Sequence, residues 1–431
     1  MSCRRKNTAV LVAGITALSL GLAGCGAGGG ATDSESNELT VLVESGGRSE
    51  LTPIKDAYEA ETGNKITFVE LPYDSLYDRV NTELSAGSAS YDVAALDAIW
   101  LSAFAPGLTP LDDLITEDVQ SDLFPALIDE AQIDGKFIGA PVWTNAQVLF
   151  YRTDLFSDPE QQAAFEAEFG RELTPPATWE EYMEVAKFFT QDTDGDGSFD
   201  LYGTDVKGAV ETEWLALILQ AGAKDMVLDA DGNVTINDEF HKAALDAYIA
   251  PVEAGIAPAG AAQTDWATAQ NAFNQGQLAM TRFWAHAYTQ IPADSPAAGN
   301  VGVVPMPAGP GGFGAVPGAW YLTIPQATGK QELAKEFIAY ALEHNELGLD
   351  TELGLAATVS ALEGASAERP NIAGLMEALD AEGTQPRPAT AKWQQIVDSV
   401  LIPMLQEASA GGADTTALLD RAAEQVEEIM N

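Results

Sequence analysis

The feature that most limits what this chain can become is an alternation within residues 39–96. Short apolar runs at 39–43, 65–71 and 93–96 are separated by stretches whose apolar residues recur at helical spacing. In the first stretch Leu51, Ile54 and Tyr58 form one stripe, and Gly63 supplies the stop. In the second, Asp74 is placed as the N-terminal cap, with Leu76, Tyr77, Val80 and Leu84 as the stripe and Gly87 as the end. A β-α-β-α-β order of this kind winds right-handed into a parallel sheet, because a twisted strand feeding a helix packs back only that way. Ligands of such α/β sheets sit beyond the carboxyl ends of the strands. The residues there are Ser45-Gly46-Gly47-Arg48, Pro72-Tyr73, and Asp97 followed by Trp100.

Length decides the next step. The chain has 431 residues, 46% of them apolar, and single cores seldom grow past roughly 250–300 residues, so two lobes are expected. Disulfides cannot substitute for a core. Of the two cysteines, Cys3 stands in a leader and Cys25 directly behind it. That leader carries Arg4, Arg5 and Lys6 and then an uncharged apolar run, 8–22, too short to span a bilayer. Residues 1–24 read as a secretory signal peptide, and the Gly/Ser-rich stretch 25–38 as a flexible tether. Leu22-Ala23-Gly24-Cys25 resembles the lipobox of bacterial lipoproteins, which implies acylation of Cys25 and an anchor on the extracellular face of the cytoplasmic membrane.

With 65 acidic and 21 basic residues the formal net charge is −44. Nucleic acid is excluded as a partner, since binding it requires clustered Lys and Arg against the phosphates. The acids are scattered over helix faces rather than drawn into tails, as a solvated surface requires.

Few motifs carry chemistry. Asp192, Asp194, Asp196, Ser198 and Asp200 have the spacing of a calcium loop with Gly197 at its turn, but Gly203 stands where the bidentate acid belongs. No cofactor is required, and a structural calcium is the one candidate. Glycine triplets at Gly24, Gly26, Gly29 and at Gly309, Gly311, Gly314 open no helix after a strand, so neither reads as a dinucleotide site. His241, His286 and His344 show no metal spacing and read as solvated or locally bonded. The run 277–284 is of strand length and should place Arg282 and Trp284 on one face and Phe283 on the other.

Three stretches in the middle of the chain carry a wider resemblance: 135–142 (GKFIGAPV), 149–155 (LFYRTDL) and 175–181 (PPATWEE). With 276–284, 333–337, 386–390 and Trp393 they resemble, in order and spacing, the sugar-binding proteins of bacterial ABC importers, nearest the trehalose/maltose-binding subgroup. The resemblance implies a type II two-lobe fold with a ligand cleft between lobes joined by hinge segments. Residues 39–144 and 305–357 would form the first lobe, and 145–304 and 358–431 the second. It also implies a monomer without enzymatic activity that binds a small carbohydrate and hands it to a permease.

Sugars pack their C–H faces on aromatic rings and exchange water for amide and charged partners. By resemblance, Asp97 and Asn145 would bind from the first lobe and hinge, and Glu211, Trp214 and Trp284 from the second. Gly318 would let backbone approach before Trp320, with Arg387 and Trp393 completing the set. Phe283 and Ala285 stand where the subgroup commonly has asparagine and proline, so the second-lobe wall is changed. Two other readings stay open: an exported glycosidase or sugar-modifying enzyme, and a receptor for a polyol phosphate or other anion, which Arg282 and Arg387 would suit.

Overall fold

The structure, a computed structural model, describes residues 37–431. The signal segment, Cys25 and most of the tether lie outside the described residues. β1 (Glu38–Glu44), α1 (Gly47–Thr62), β2 (Lys65–Leu71), α2 (Tyr73–Ser85) and β3 (Val93–Asp97) follow in the expected order. β1 pairs in parallel with both β2 and β3. Leu39, Val41, Leu42 and Val43 are all buried, as a strand covered on both faces requires. α1 buries the expected Leu51, Ile54 and Tyr58 and ends at Gly63, whose φ of 77° is the left-handed value glycine adopts without steric cost. α2 starts two residues earlier than expected, with Pro72 rather than Asp74 at the cap position. Asp74 therefore lies inside the first turn rather than before it.

The next strands are β4 (Ala140–Trp143), β5 (Gln147–Arg152), β6 (Met280–Trp284), β7 (Val301–Pro305) and β8 (Trp320–Thr323). They divide between two sheets. The first has the order β2-β1-β3-β8-β4, with β8 antiparallel to both neighbours. The second has the order β6-β5-β7 and is antiparallel throughout. The three residues between β4 and β5 thus carry the chain from one lobe to the other.

The helices that matter for the site are α3 (Trp179–Phe189), α4 (Thr212–Ala221), α5 (Glu239–Glu253), α6 (Trp266–Asn274), α7 (Gln331–Glu343) and α8 (Pro370–Asp380). A ninth, α9, runs from Trp393 through a π-helical stretch, Val397–Leu401, to Ser409, and α10 (Thr415–Met430) ends the chain. Thr178 caps α3 by accepting the Glu181 N–H at 3.2 Å, while Glu181 reaches back to the Ala177 N–H at 2.7 Å. One apolar core lies around the first sheet and continues onto a face of the second. Another lies among α4, α5, α9 and α10, and a third covers the far side of β5 and β6.

Residues 306–317, grouped with the first lobe in the sequence reading, pack against the second. Met306 and Val316 are buried with α4, and a Cβ at Gly311 would meet the Gly222 Cα at 2.3 Å. The chain returns to the first lobe only at Gly318 and Ala319, where the Ala98 N–H donates to the Ala319 carbonyl at 3.1 Å. No helix among the described residues is long and apolar enough to cross a membrane.

Candidate functional site

A cavity of about 470 Å³ opens at the carboxyl end of β3 and is walled by both lobes. Tyr73, Asp97, Ile99 and Trp320 contribute from the first; Glu211, Thr212, Trp266, Trp284, His286 and Arg387 from the second; Asn145 and Gly318 from the crossings. Its volume lies within the usual range for small-ligand sites.

Local structure aims each group. Asp97 ends β3 and pairs in register with Trp320 of β8, which pairs on its other side with Trp143. The Trp320 ring stacks on Trp143 at 5.5 Å and 20°, and Tyr73 meets it edge-on at 6.1 Å. Gly47, in the loop-to-helix turn past β1, sits behind Trp143 at a distance only a glycine allows (2.8 Å to a built Cβ) and lines no part of the cavity. Across the opening, Trp284 ends β6 and rests on Trp266 at 5.6 Å. A Cβ at residue 318 would come within 2.7 Å of the Trp284 ring, so glycine there is a matter of space.

The polar groups are mostly held by one another. Asp97 accepts from the Tyr73 hydroxyl at 2.9 Å and faces Arg387 Nη2 at 3.5 Å. Arg387 is itself buried and donates to the Pro317 carbonyl at 3.2 Å. Burial works against its charge, and the carboxylate of Asp97 outweighs that, holding the guanidinium protonated. Behind it, burial pushes the Glu130 carboxyl up to about 8. Arg282 is in another place altogether. It is 4% exposed, ion-paired with Glu213 in the second-lobe core and covered by Tyr182, so it offers the cavity no charge.

Seven of the nine residues inferred from the sequence, Asp97, Asn145, Glu211, Trp284, Gly318, Trp320 and Arg387, come together around this cavity. Trp214 and Trp393 do not. Both are completely buried among α4, α5, α9 and α10 and have no ring surface toward the ligand space. The reason is helical rotation, since neighbouring residues on a helix point about 100° apart. Glu211 and Thr212 at the start of α4 face the cavity while Trp214 turns inward. On α9, Gln394, Val397, Asp398 and Ile402 line the cavity, and Trp393, one residue before Gln394, is turned about 100° away from it into the core. That lining set spans the π-helical stretch, a local widening that often accompanies functional positions. Sequence reading missed it, along with Trp266 and His286; the i, i+3, i+4, i+8 spacing on α9 was the available signal.

The acidic loop was read as five ligands, and the structure groups three. Asp192, Asp194 and Asp200 bring one oxygen each within 4.8 Å of the others, all exposed, whereas Asp196 falls outside that group. The carboxylates already accept the loop's own N–H groups, as in Gly195 N–H to Asp192 at 2.6 Å and Thr193 N–H to Asp200 at 2.8 Å.

Comparison with known proteins agrees with this architecture. The probable ABC transporter-binding protein of Deinococcus radiodurans is 28% identical over 325 residues, 72% of this chain and 73% of that one. A maltooligosaccharide ABC transporter solute-binding lipoprotein of Streptococcus pneumoniae is 24% identical over 99% of this chain and 98% of its own. The structure of the sugar-binding protein MalE from Xanthomonas citri superposes with a TM-score of 0.75 at 20% identity, covering 91% and 97% of the two chains. Residues 44–345 match the family model of the bacterial extracellular solute-binding proteins, and the chain belongs to that family.

Proposed function

We propose that this protein is the lipid-anchored solute-binding component of an ABC transporter. On this reading it captures a small neutral carbohydrate of disaccharide size by lobe closure and delivers it to the permease. The observation that carries the reading is the wall of the cavity: the rings of Trp266, Trp284 and Trp320 alternate with Asp97, Asn145 and Glu211, the two residue classes a saccharide needs together. The pneumococcal relative is named for maltooligosaccharides and the Xanthomonas one for sugar, which supports the same class.

Charge argues against an anionic ligand. Arg387 is already paired with Asp97 and Arg282 with Glu213, so neither guanidinium is free, while Glu211 and Asp398 leave the cavity mouth negative. A disaccharide of some two dozen heavy atoms at about −0.3 kcal/mol per atom gives roughly −7 kcal/mol, which is micromolar binding. Closure follows if the closed form holds the sugar more tightly than the open one.

Calorimetry against a panel of neutral disaccharides tests the reading. Micromolar binding of one member, with phosphate esters failing to compete and chromogenic glycosides left unhydrolysed, is the expected result; no heat from any sugar would end it. Mass analysis of membrane-extracted protein should find Cys25 acylated at the mature N-terminus, and an unmodified or internal Cys25 removes the anchor.

For the acidic loop, the reading that follows is a weak calcium site on Asp192, Asp194 and Asp200. Millimolar calcium added after chelation should raise Tm by a few degrees, in proportion to RT ln(1 + [L]/Kd). An unmoved Tm removes calcium from the account.

A further inference from the structure

We propose that His286 is a ligand-contacting hydrogen-bond donor through its Nε2–H, with Asn145 as the positioning residue that fixes which ring nitrogen carries the proton. This rests on the carbohydrate reading of the cavity and deepens it. Asn145 lies in the crossing between β4 and β5, and its side-chain Oδ1 accepts the Ala146 N–H at 3.1 Å. The amide is thereby oriented, and the group it turns toward His286 is Nδ2, 2.7 Å from the ring Nδ1. An amide nitrogen has only hydrogens to offer. Nδ1 must accept, so the proton of the neutral ring stands on Nε2. Burial holds the imidazolium form down to a pKa of about 4, which keeps the ring neutral at ordinary pH.

Nε2 makes no hydrogen bond among the described residues, and it is not one of the buried atoms left without a partner. His286 lines the cavity beside Trp284 and Gly318, so this N–H has the ligand space open to it. Two neighbouring side-chain donors are occupied, the Gln394 amide by Asp398 at 3.1 Å and the Thr212 hydroxyl by Glu211 at 3.0 Å. The carboxylates of Asp97, Glu211 and Asp398 can bind sugar hydroxyls but can give nothing to an oxygen without a hydrogen. Ring and glycosidic oxygens of a saccharide are such acceptors, and His286 is placed to donate to one.

The test uses protein labelled with ¹⁵N-histidine, which carries only three histidines, with maltose as the first probe and the other disaccharides of the panel after it. His286→Leu assigns the resonance by its loss. The expected spectrum shows the Nε2–H tautomer, a shift of Nε2 on adding sugar, and inversion of the tautomer in Asn145→Asp, whose carboxylate accepts from Nδ1–H. His286→Leu should weaken binding about tenfold, and His286→Gln should recover most of it. An Nδ1–H tautomer in the wild type, or sugar binding that leaves Nε2 and the Leu variant's affinity unchanged, overturns the inference alone. Absence of binding by every sugar instead sinks the carbohydrate reading, and the donor role with it. Unchanged Tm values separate these effects from misfolding.

Discussion

Glu213→Gln should lower stability by about 3–5 kcal/mol, the largest loss expected from any single charge in this molecule. Glu213 is completely buried near the start of α4, with Lys207 Nζ at 3.1 Å and Arg282 Nε at 2.5 Å. The Arg282 contact is close but off the hydrogen-bonding line, so it acts chiefly through charge. Lys207 has a second carboxylate in Asp205, at 2.9 Å. Arg282 has none, only the rings of Tyr182 and Tyr248 at 5.0 and 5.9 Å. Neutralising Glu213 would strand a guanidinium that is 4% exposed, and the desolvation cost of that charge would no longer be offset. The exposed pair Arg421–Glu407 sits at the same 2.5 Å distance, yet Glu407→Gln should change stability by less than about 1 kcal/mol, because water already screens it. Urea midpoints read both, at unchanged m. Equal shifts for the two variants would mean that burial does not govern these pairs.

Trp284→Ala should weaken disaccharide binding about 30-fold or more, the level of a hot-spot aromatic at the centre of a desolvated contact. Its ring is held by Trp266 on one side and limited by Gly318 on the other, so the orientation is preorganised. Trp179 is the comparison. Its indole N–H donates to Gln220 at 2.9 Å and it packs on the second-lobe core outside the cavity. Trp179→Ala should cost stability while leaving Kd within about twofold at temperatures where the variant is folded. Titration calorimetry distinguishes the two, and a Trp284→Ala variant that binds as tightly as the wild type would take that ring out of the ligand site.

Buried charge also explains a difference between reading and structure. Arg282 and Trp284 were placed on one strand face because side chains alternate, and that periodicity was a sound guide. What periodicity cannot say is which segment covers the face two residues further back. There, Glu213 and two tyrosines arrive from elements far away in sequence and close over Arg282, whereas Trp284, flanked by Trp266 and Gly318, still lines the cavity.

The sequence by itself determined the elements whose signals are local. The β-α-β-α-β start, the Gly63 stop and the stripe of α1 depend on spacing and backbone freedom within a turn or two, and these survive any tertiary arrangement. The resemblance to the sugar-binding proteins, carried over residue by residue, also named seven of the cavity's residues. Tertiary structure alone decided which way Trp214 and Trp393 rotate, that Gln394 and Asp398 face the ligand space, and that residues 306–317 side with the second lobe. It also set the Asn145–His286 contact, between residues 141 positions apart. Each of those outcomes depends on what packs against a surface rather than on the surface itself. A helix with apolar residues on more than one side states no preference for which side is buried until its partners arrive.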